Sequence, residues 1–146
     1  MGQRLPHITV GMAFVGVDDI PVLVQRFARR SFSVEISGHR ELIRDSTRTQ
    51  YLDIVLDSEL KLLHEEVMTV LGELAQYSDS QRFSEDVEDR TRNYVRDFRS
   101  YAGEAYEPHI TMGYGSAESL KVLGMIDCEL AIFHLGNYCT CHTQLT

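Results

Sequence analysis

Apolar residues at strand and helix spacing divide the first part of the chain into alternating elements. The pattern predicts strands over residues 8–14, 32–37 and 50–56, with a polar turn over 40–49 between the last two. A helix is predicted from residue 20 to about residue 30, because aspartates precede it and a proline lies in its first turn. The first part of the chain therefore mixes strands and helices.

A long amphipathic helix occupies the middle of the chain. Asp57 or Ser58 is a suitable N-cap for it. The residues predicted to form its apolar face are Leu60, Leu63, Val67, Val70, Leu71 and Leu74. A third helix is predicted over residues 84–101, after a polar connection over 77–82.

The last third of the chain is predicted to contain three strands and a short helix. The strands span residues 110–114, 127–135 and 138–144, and the helix spans 116–124. Strands and helices do not alternate as a β-α-β series. The predicted fold class is therefore α+β, with mostly antiparallel strands.

One six-residue pattern, P-H-I-T-[VM]-G, occurs at residues 6–11 and again at residues 108–113. It uses two of the three prolines and two of the six histidines in the chain. The shared proline, isoleucine and glycine make coincidence a poor explanation, and a duplicated half is a better one.

The spacing inside the pattern has a chemical consequence if each copy is a strand. His7 and Thr9 then share one face, as do His109 and Thr111, while the isoleucines face the other way. If the copies meet about a pseudo-twofold axis, two imidazoles and two hydroxyls converge. Two such histidines can act as general base and general acid, and the hydroxyls can donate hydrogen bonds to anionic oxygens.

These paired H-x-T motifs resemble those of the 2H phosphoesterase superfamily, which includes RNA 2′,3′-cyclic phosphodiesterases and 2′-5′ RNA ligases. Residues 51–56 and 58–66 resemble the strand and helix of its first half, and residues 130–140 resemble its last hairpin. The resemblance implies a single domain over residues 1–146. It also implies a two-lobed, pseudo-symmetric duplicated fold, with mostly antiparallel sheets, flanking helices and a central cleft holding both motifs.

The function implied by the resemblance is metal-independent hydrolysis of a 2′,3′-cyclic phosphate at an RNA end or on a nucleotide. One of His7 and His109 would act as general base and the other as general acid, in an order that the sequence leaves open. Thr9 and Thr111 would hold the non-bridging oxygens. No cofactor and no metal is expected.

Two residues outside the motifs are candidates for substrate contact. Phe14 and Tyr114 follow the two motifs and could lie beside a base or ribose, although strand ends often carry such side chains. The other histidines (His39, His64, His134 and His142) have no matching partners, and His64 is interpreted as a surface or packing residue. The Cys139-Thr140-Cys141-His142 segment lacks the second ligand pair of a structural zinc site.

Two alternatives to hydrolysis stay open. The same site could serve a 2′-5′ RNA ligase-type reaction, or the chain could be a non-catalytic module that binds nucleotides or RNA ends. Members of the family usually carry a hydrophobic strand before the first motif, whereas only Met1 to Leu5 precede it here. That difference gives weight to the binding module, while the presence of all four motif residues favours hydrolysis.

Net charge and composition indicate which partners and which cellular location to expect. A net charge of −8 opposes binding along an extended polyanion, so a nucleotide or an RNA terminus is expected instead. The six nearby arginines (Arg26, Arg29, Arg30, Arg40, Arg44 and Arg48) could guide an RNA end, but a solvated face is favoured. Three cysteines, no leader and no apolar run near about 18 residues predict a cytoplasmic protein without membrane contact. A monomer is expected.

Overall fold

The computed structural model describes residues 5–75, 83, 86–116 and 124–145. The strands of this part are β1 (Ser31–Arg44), β2 (Thr47–Ile54), β3 (His109–Tyr114), β4 (Gly124–Glu129), β5 (Ile132–Leu135) and β6 (Cys141–Leu145). Its α-helices are α1 (Ile20–Phe27), α2 (Ser58–Leu74) and α3 (Asp89–Arg96). All strand pairs among the described residues are antiparallel, and the predicted α+β class is confirmed.

Four of the strands form one sheet in the order β3-β2-β1-β4, and β5 pairs with β6 separately. The polar turn predicted over 40–49 is wrong, because β1 continues to Arg44 and pairs with β2 on both sides of a two-residue turn. Asp45 and Ser46 form that turn with φ values of 46° and 67°. Two successive positive φ angles match the twist of antiparallel strands, so the turn can be this short.

The strand predicted over residues 8–14 is also wrong as a regular strand. This segment makes only isolated antiparallel bridges, one between Ile8 and Ile110 and one, just beyond it, between Val15 and Ala75. The carbonyl oxygens of Thr9 and Val10 accept hydrogen bonds from side chains, at 2.9 and 2.7 Å, in place of a neighbouring strand. The segment is therefore held against the rest of the fold by side chains.

The helix predicted over 84–101 is shorter in the structure and begins at Asp89, although residues 84 and 85 lie outside the described residues. A short 3-10 helix, Phe98–Tyr101, continues it after a break at Asp97. The break occurs where Asp97 leaves helical geometry, with ψ near 5°, and binds the guanidinium of Arg96.

Two predictions near the C-terminus also fail. The single strand predicted over 127–135 is divided between β4 and β5, because Leu130 exchanges backbone hydrogen bonds with Arg29 and Arg30 at the division. The last strand begins at Cys141, after a 3-10 turn at Asn137–Cys139. Of the helix predicted over 116–124, residues 117–123 lie outside the described residues, and Gly124 belongs to β4.

The core consists of three clusters of apolar residues, and α2 contributes to the two larger ones. One cluster lies between the sheet and the start of α2 and includes Val34, Leu52, Leu60 and Ile110. A second cluster joins α1 and α2. As predicted, α2 buries Leu60, Leu63, Val67 and Val70, while Leu71 and Leu74 are partly buried.

Candidate functional site

The second motif lies on β3, as the sequence predicts. Ile110 is buried in the core, and alternation puts His109 and Thr111 on the opposite face of the strand. β3 pairs with β2 so that His109 lies opposite Asp53 and Thr111 lies opposite Tyr51. Because opposed residues share a face in antiparallel pairs, these four side chains form one row.

The first motif meets the second at the bridge between Ile8 and Ile110. In an antiparallel bridge with this register, position 7 lies toward position 111 and position 9 toward position 109. The bridge therefore sets the two motif segments side by side in antiparallel directions. The catalytic roles of the four motif residues stay predictions.

Both motif histidines make the same local hydrogen bond. Nδ1 of His7 donates to the carbonyl oxygen of Leu5, and Nδ1 of His109 donates to that of Glu107, each at 2.9 Å. A carbonyl oxygen can only accept, so each Nδ1 carries the hydrogen and each neutral ring has its lone pair on Nε2. Each Nε2 can therefore accept a proton as a base or, once protonated, donate one as an acid.

A buried histidine and a tyrosine hold the first motif, and sequence reasoning did not assign them this role. Tyr106 donates its hydroxyl hydrogen to Thr9 O, and His64 Nδ1 donates to Val10 O. The other ring nitrogen of His64 accepts from the backbone N–H of Gly103 at 3.1 Å. The sequence could indicate only that His64 is buried, because it falls on the apolar stripe of α2. In the structure His64 is 1% exposed.

The rings of this pair are stacked, and burial raises the pKa of Tyr106 far above its ordinary value. The phenol therefore stays protonated and keeps its donor for Thr9 O. His64, interpreted from the sequence as a surface or packing residue, is a buried packing residue with both ring nitrogens bonded.

A charged cluster continues the row of side chains beside His109. The rings of Tyr51 and His109 meet edge to face, with centroids 5.1 Å apart and planes at 88°. The guanidinium of Arg40 lies over the Tyr51 ring at 5.5 Å and binds Asp53 at 2.7 Å. This cluster was missed because it depends on the β1–β2 register, although Tyr51 and Asp53 are spaced to share a face.

The two candidates for substrate contact lie differently from the motif residues. Phe14 is half-buried, packs against the cluster of Met12, Val95 and Phe98, and meets Phe83 edge to face at 5.5 Å. Tyr114 is 64% exposed at the end of β3, opposite Thr49. Contact of either residue with substrate stays a prediction.

Neither a metal cluster nor a membrane-spanning helix is found in the part of the chain that the structure describes. No three of its His, Cys, Asp and Glu side chains are grouped as metal ligands. None of its helices combines the length and apolar character needed to cross a bilayer.

A comparison with protein families supplies the assignment. The family model described as the 2′-5′ RNA ligase superfamily matches residues 2–125. The chain belongs to the 2′-5′ RNA ligase superfamily. This is the 2H phosphoesterase superfamily that the two motifs resemble, so that interpretation is confirmed. Searches of curated proteins and of solved structures gave no match.

The superfamily match covers both H-x-T motifs and the Arg40–Tyr51 cluster, and it ends inside β4. The β5–β6 hairpin lies beyond it. The resemblance of residues 130–140 to the last hairpin of the 2′-5′ RNA ligase superfamily therefore stays a prediction.

Proposed function

We propose that the protein is a metal-independent phosphodiesterase that opens a 2′,3′-cyclic phosphate at an RNA end or on a nucleotide. The observation that carries this proposal is that the two motif histidines have the same hydrogen bond and the same free ring nitrogen, Nε2. Each has Nδ1 tied to the carbonyl two residues earlier, and the two motifs meet at the Ile8–Ile110 bridge. Membership of the 2′-5′ RNA ligase superfamily supports phosphoester chemistry on RNA.

The proposed reaction is an in-line displacement at phosphorus. Nε2 of one histidine removes a proton from water, whose oxygen forms a bond to phosphorus as the bond to the ribose 3′ oxygen breaks. Nε2 of the other histidine, protonated beforehand, gives its proton to that departing oxygen, which leaves a 2′-phosphate. The hydroxyls of Thr9 and Thr111 donate to the non-bridging oxygens, where negative charge increases.

The test is turnover of the four nucleoside 2′,3′-cyclic monophosphates in the presence of EDTA. His7→Ala and His109→Ala should each lower kcat/KM by about 10²- to 10⁴-fold, because each removes an acid or a base. His142→Ala is the matched control, since this exposed histidine lies on β6 outside both motifs. Wild-type turnover in both motif variants, or loss of turnover in EDTA, would contradict the proposal.

A second candidate function is 2′-5′ joining of RNA ends at the same site, which the description of the matching family favours. Product analysis separates it from hydrolysis. An oligonucleotide with a 2′,3′-cyclic phosphate is incubated with a second one bearing a 5′ hydroxyl, and joined and hydrolysed products are resolved by length. Binding without either product would instead indicate the non-catalytic module.

A further inference from the structure

A groove of about 280 Å³ opens beside His109, where the chain enters β3. Ile54, Leu56 and Pro108 contribute apolar walls, and the charged groups along it are Arg40, Asp53 and Glu107. Apolar walls with a few polar groups are typical of a site for a small organic ligand.

The strand register connects the groove to the face of β3 that carries His109 and Thr111. Asp53 lies opposite His109, Tyr51 lies opposite Thr111, and Arg40 lies opposite Tyr51. Opposed residues share a face, so Arg40, Tyr51 and Asp53 extend the row that the second motif begins. A substrate whose phosphate lies at the motif histidines would therefore have the groove next to its ribose.

The charges in the groove indicate which part of a nucleotide it can bind. One guanidinium lies with two carboxylates, so the local charge is negative and disfavours a second phosphate. Arg40 holds Asp53 at 2.7 Å but lies 3.7 Å from Glu107, which is 78% exposed. The Glu107 contact is long and solvated, so a ligand can replace it at low cost.

We propose that this groove binds the nucleobase of the substrate and that Arg40 and Glu107 select guanine, an inference that rests on the proposed function. Guanine presents two adjacent donors, N1–H and the N2 amino group, which one carboxylate can accept together. Its O6 lies beside them and accepts from a guanidinium. Uracil offers a single N–H donor and cannot make the paired contact with Glu107.

The test compares kcat/KM for guanosine and uridine 2′,3′-cyclic monophosphates in the wild type and in Glu107→Gln. The wild type should favour guanosine, and Glu107→Gln should reduce that ratio by about 10-fold or more, because an amide cannot accept both hydrogen bonds. The inosine substrate, which lacks the N2 amino group, should fall between the two. Glu104→Gln, at a nearby exposed carboxylate outside the groove, should leave the ratio unchanged.

The outcomes separate this inference from the proposed function. Turnover of all the nucleotides at similar rates, or an unchanged ratio in Glu107→Gln, overturns the guanine subsite and leaves the phosphodiesterase standing. Absence of any turnover contradicts the phosphodiesterase instead. In that case calorimetry with guanosine and uridine 2′-monophosphates still decides the subsite: tighter guanosine binding lost in Glu107→Gln supports it, and equal Kd values overturn it.

Discussion

His64 and Tyr106 stack face to face, with ring centroids 3.8 Å apart and planes within 2° of parallel. They bind consecutive carbonyl oxygens of the first motif, those of Val10 and Thr9. Tyr106 also lies just before the second motif, which starts at Pro108. One buried pair therefore links the first motif to the segment that leads into the second.

Removing the hydroxyl of Tyr106 should loosen this connection. In Tyr106→Phe the ring still stacks on His64, but Thr9 O loses its 2.9 Å donor. We expect the free energy of unfolding in urea to fall by about 1–2 kcal/mol, the usual cost of a buried unsatisfied carbonyl. We also expect kcat to fall, because the first motif is less firmly held.

Tyr101→Phe is the control for this change, since Tyr101 lies in the preceding 3-10 helix and is half-exposed. It should leave both stability and kcat close to wild type. Equal urea midpoints for Tyr106→Phe and wild type would show that the hydrogen bond does not hold the motif.

Gly11 determines how closely the first motif approaches α2. A Cβ at this position would lie 2.8 Å from Val67 Cγ1 and 3.0 Å from Leu71 Cδ1. Gly11→Ala should therefore reduce the free energy of unfolding by about 1–3 kcal/mol through overpacking. Gly38→Ala is matched to it, because a Cβ there has no neighbour within 4 Å among the described atoms. Thermal unfolding of both variants checks this, and equal shifts would contradict the close approach.

The sequence predicts best those elements whose own periodicity decides their structure. α2 buries the face that its leucines and valines mark, and the second motif lies on β3. The first motif segment was misassigned because its backbone partners are the side chains of His64 and Tyr106, which are distant in sequence. No local pattern encodes such contacts.

The candidate site likewise has a part that the sequence predicts and a part that it does not. The H-x-T spacing predicts that His and Thr share a strand face, and this holds for the second motif on β3 but rests on no regular strand for the first. The catalytic roles of the four motif residues stay predictions. The groove beside His109 depends on the β1–β2 register, which follows from the two-residue turn at Asp45 and Ser46. A turn of this length had not been expected, so Arg40 and Asp53 were not predicted to lie together.

The two C-terminal cysteines should react slowly in the folded protein. Burial raises the pKa of Cys139 and of Cys141 to about 11. At Cys139 the nearby Cys141 adds to this effect. The thiolate is the nucleophile, so alkylation by iodoacetamide at pH 8 should be on the order of 100-fold slower than for a free thiol. Mass spectrometry of the folded and urea-unfolded protein measures this ratio.

The raised pKa values of Cys139 and Cys141 also predict that the folded protein becomes less stable as the pH rises. The folded state holds these thiol protons more tightly than the unfolded state, so their contribution is complete below the unfolded pKa near 9. It is lost as the pH rises toward about 11. Urea midpoints should therefore decrease between pH 8 and pH 10, and less so in a Cys139→Ser, Cys141→Ser double variant. Equal slopes would show that these thiols titrate normally.

Tyr51 should position the imidazole of His109. Its ring meets that imidazole edge to face at 5.1 Å, while Arg40 covers it at 5.5 Å. Tyr51→Phe keeps both ring contacts, so kcat for cyclic nucleotide hydrolysis should stay near wild type. Tyr51→Leu removes them, and an aromatic pair contributes about 0.5–1.5 kcal/mol, which corresponds to a roughly 2- to 10-fold loss of kcat.

A matched pair of measurements distinguishes positioning from general destabilisation. Urea unfolding reports the stability of both Tyr51 variants, and the pH profile of kcat reports the state of the histidines in the substrate complex. If Tyr51 acts through His109, Tyr51→Leu should alter the profile at temperatures where the protein is fully folded, and Tyr51→Phe should not. A loss of kcat with an unchanged profile in the folded Tyr51→Leu protein would instead assign Tyr51 to substrate contact, because the imidazole would then titrate as before while the bound substrate was oriented less well.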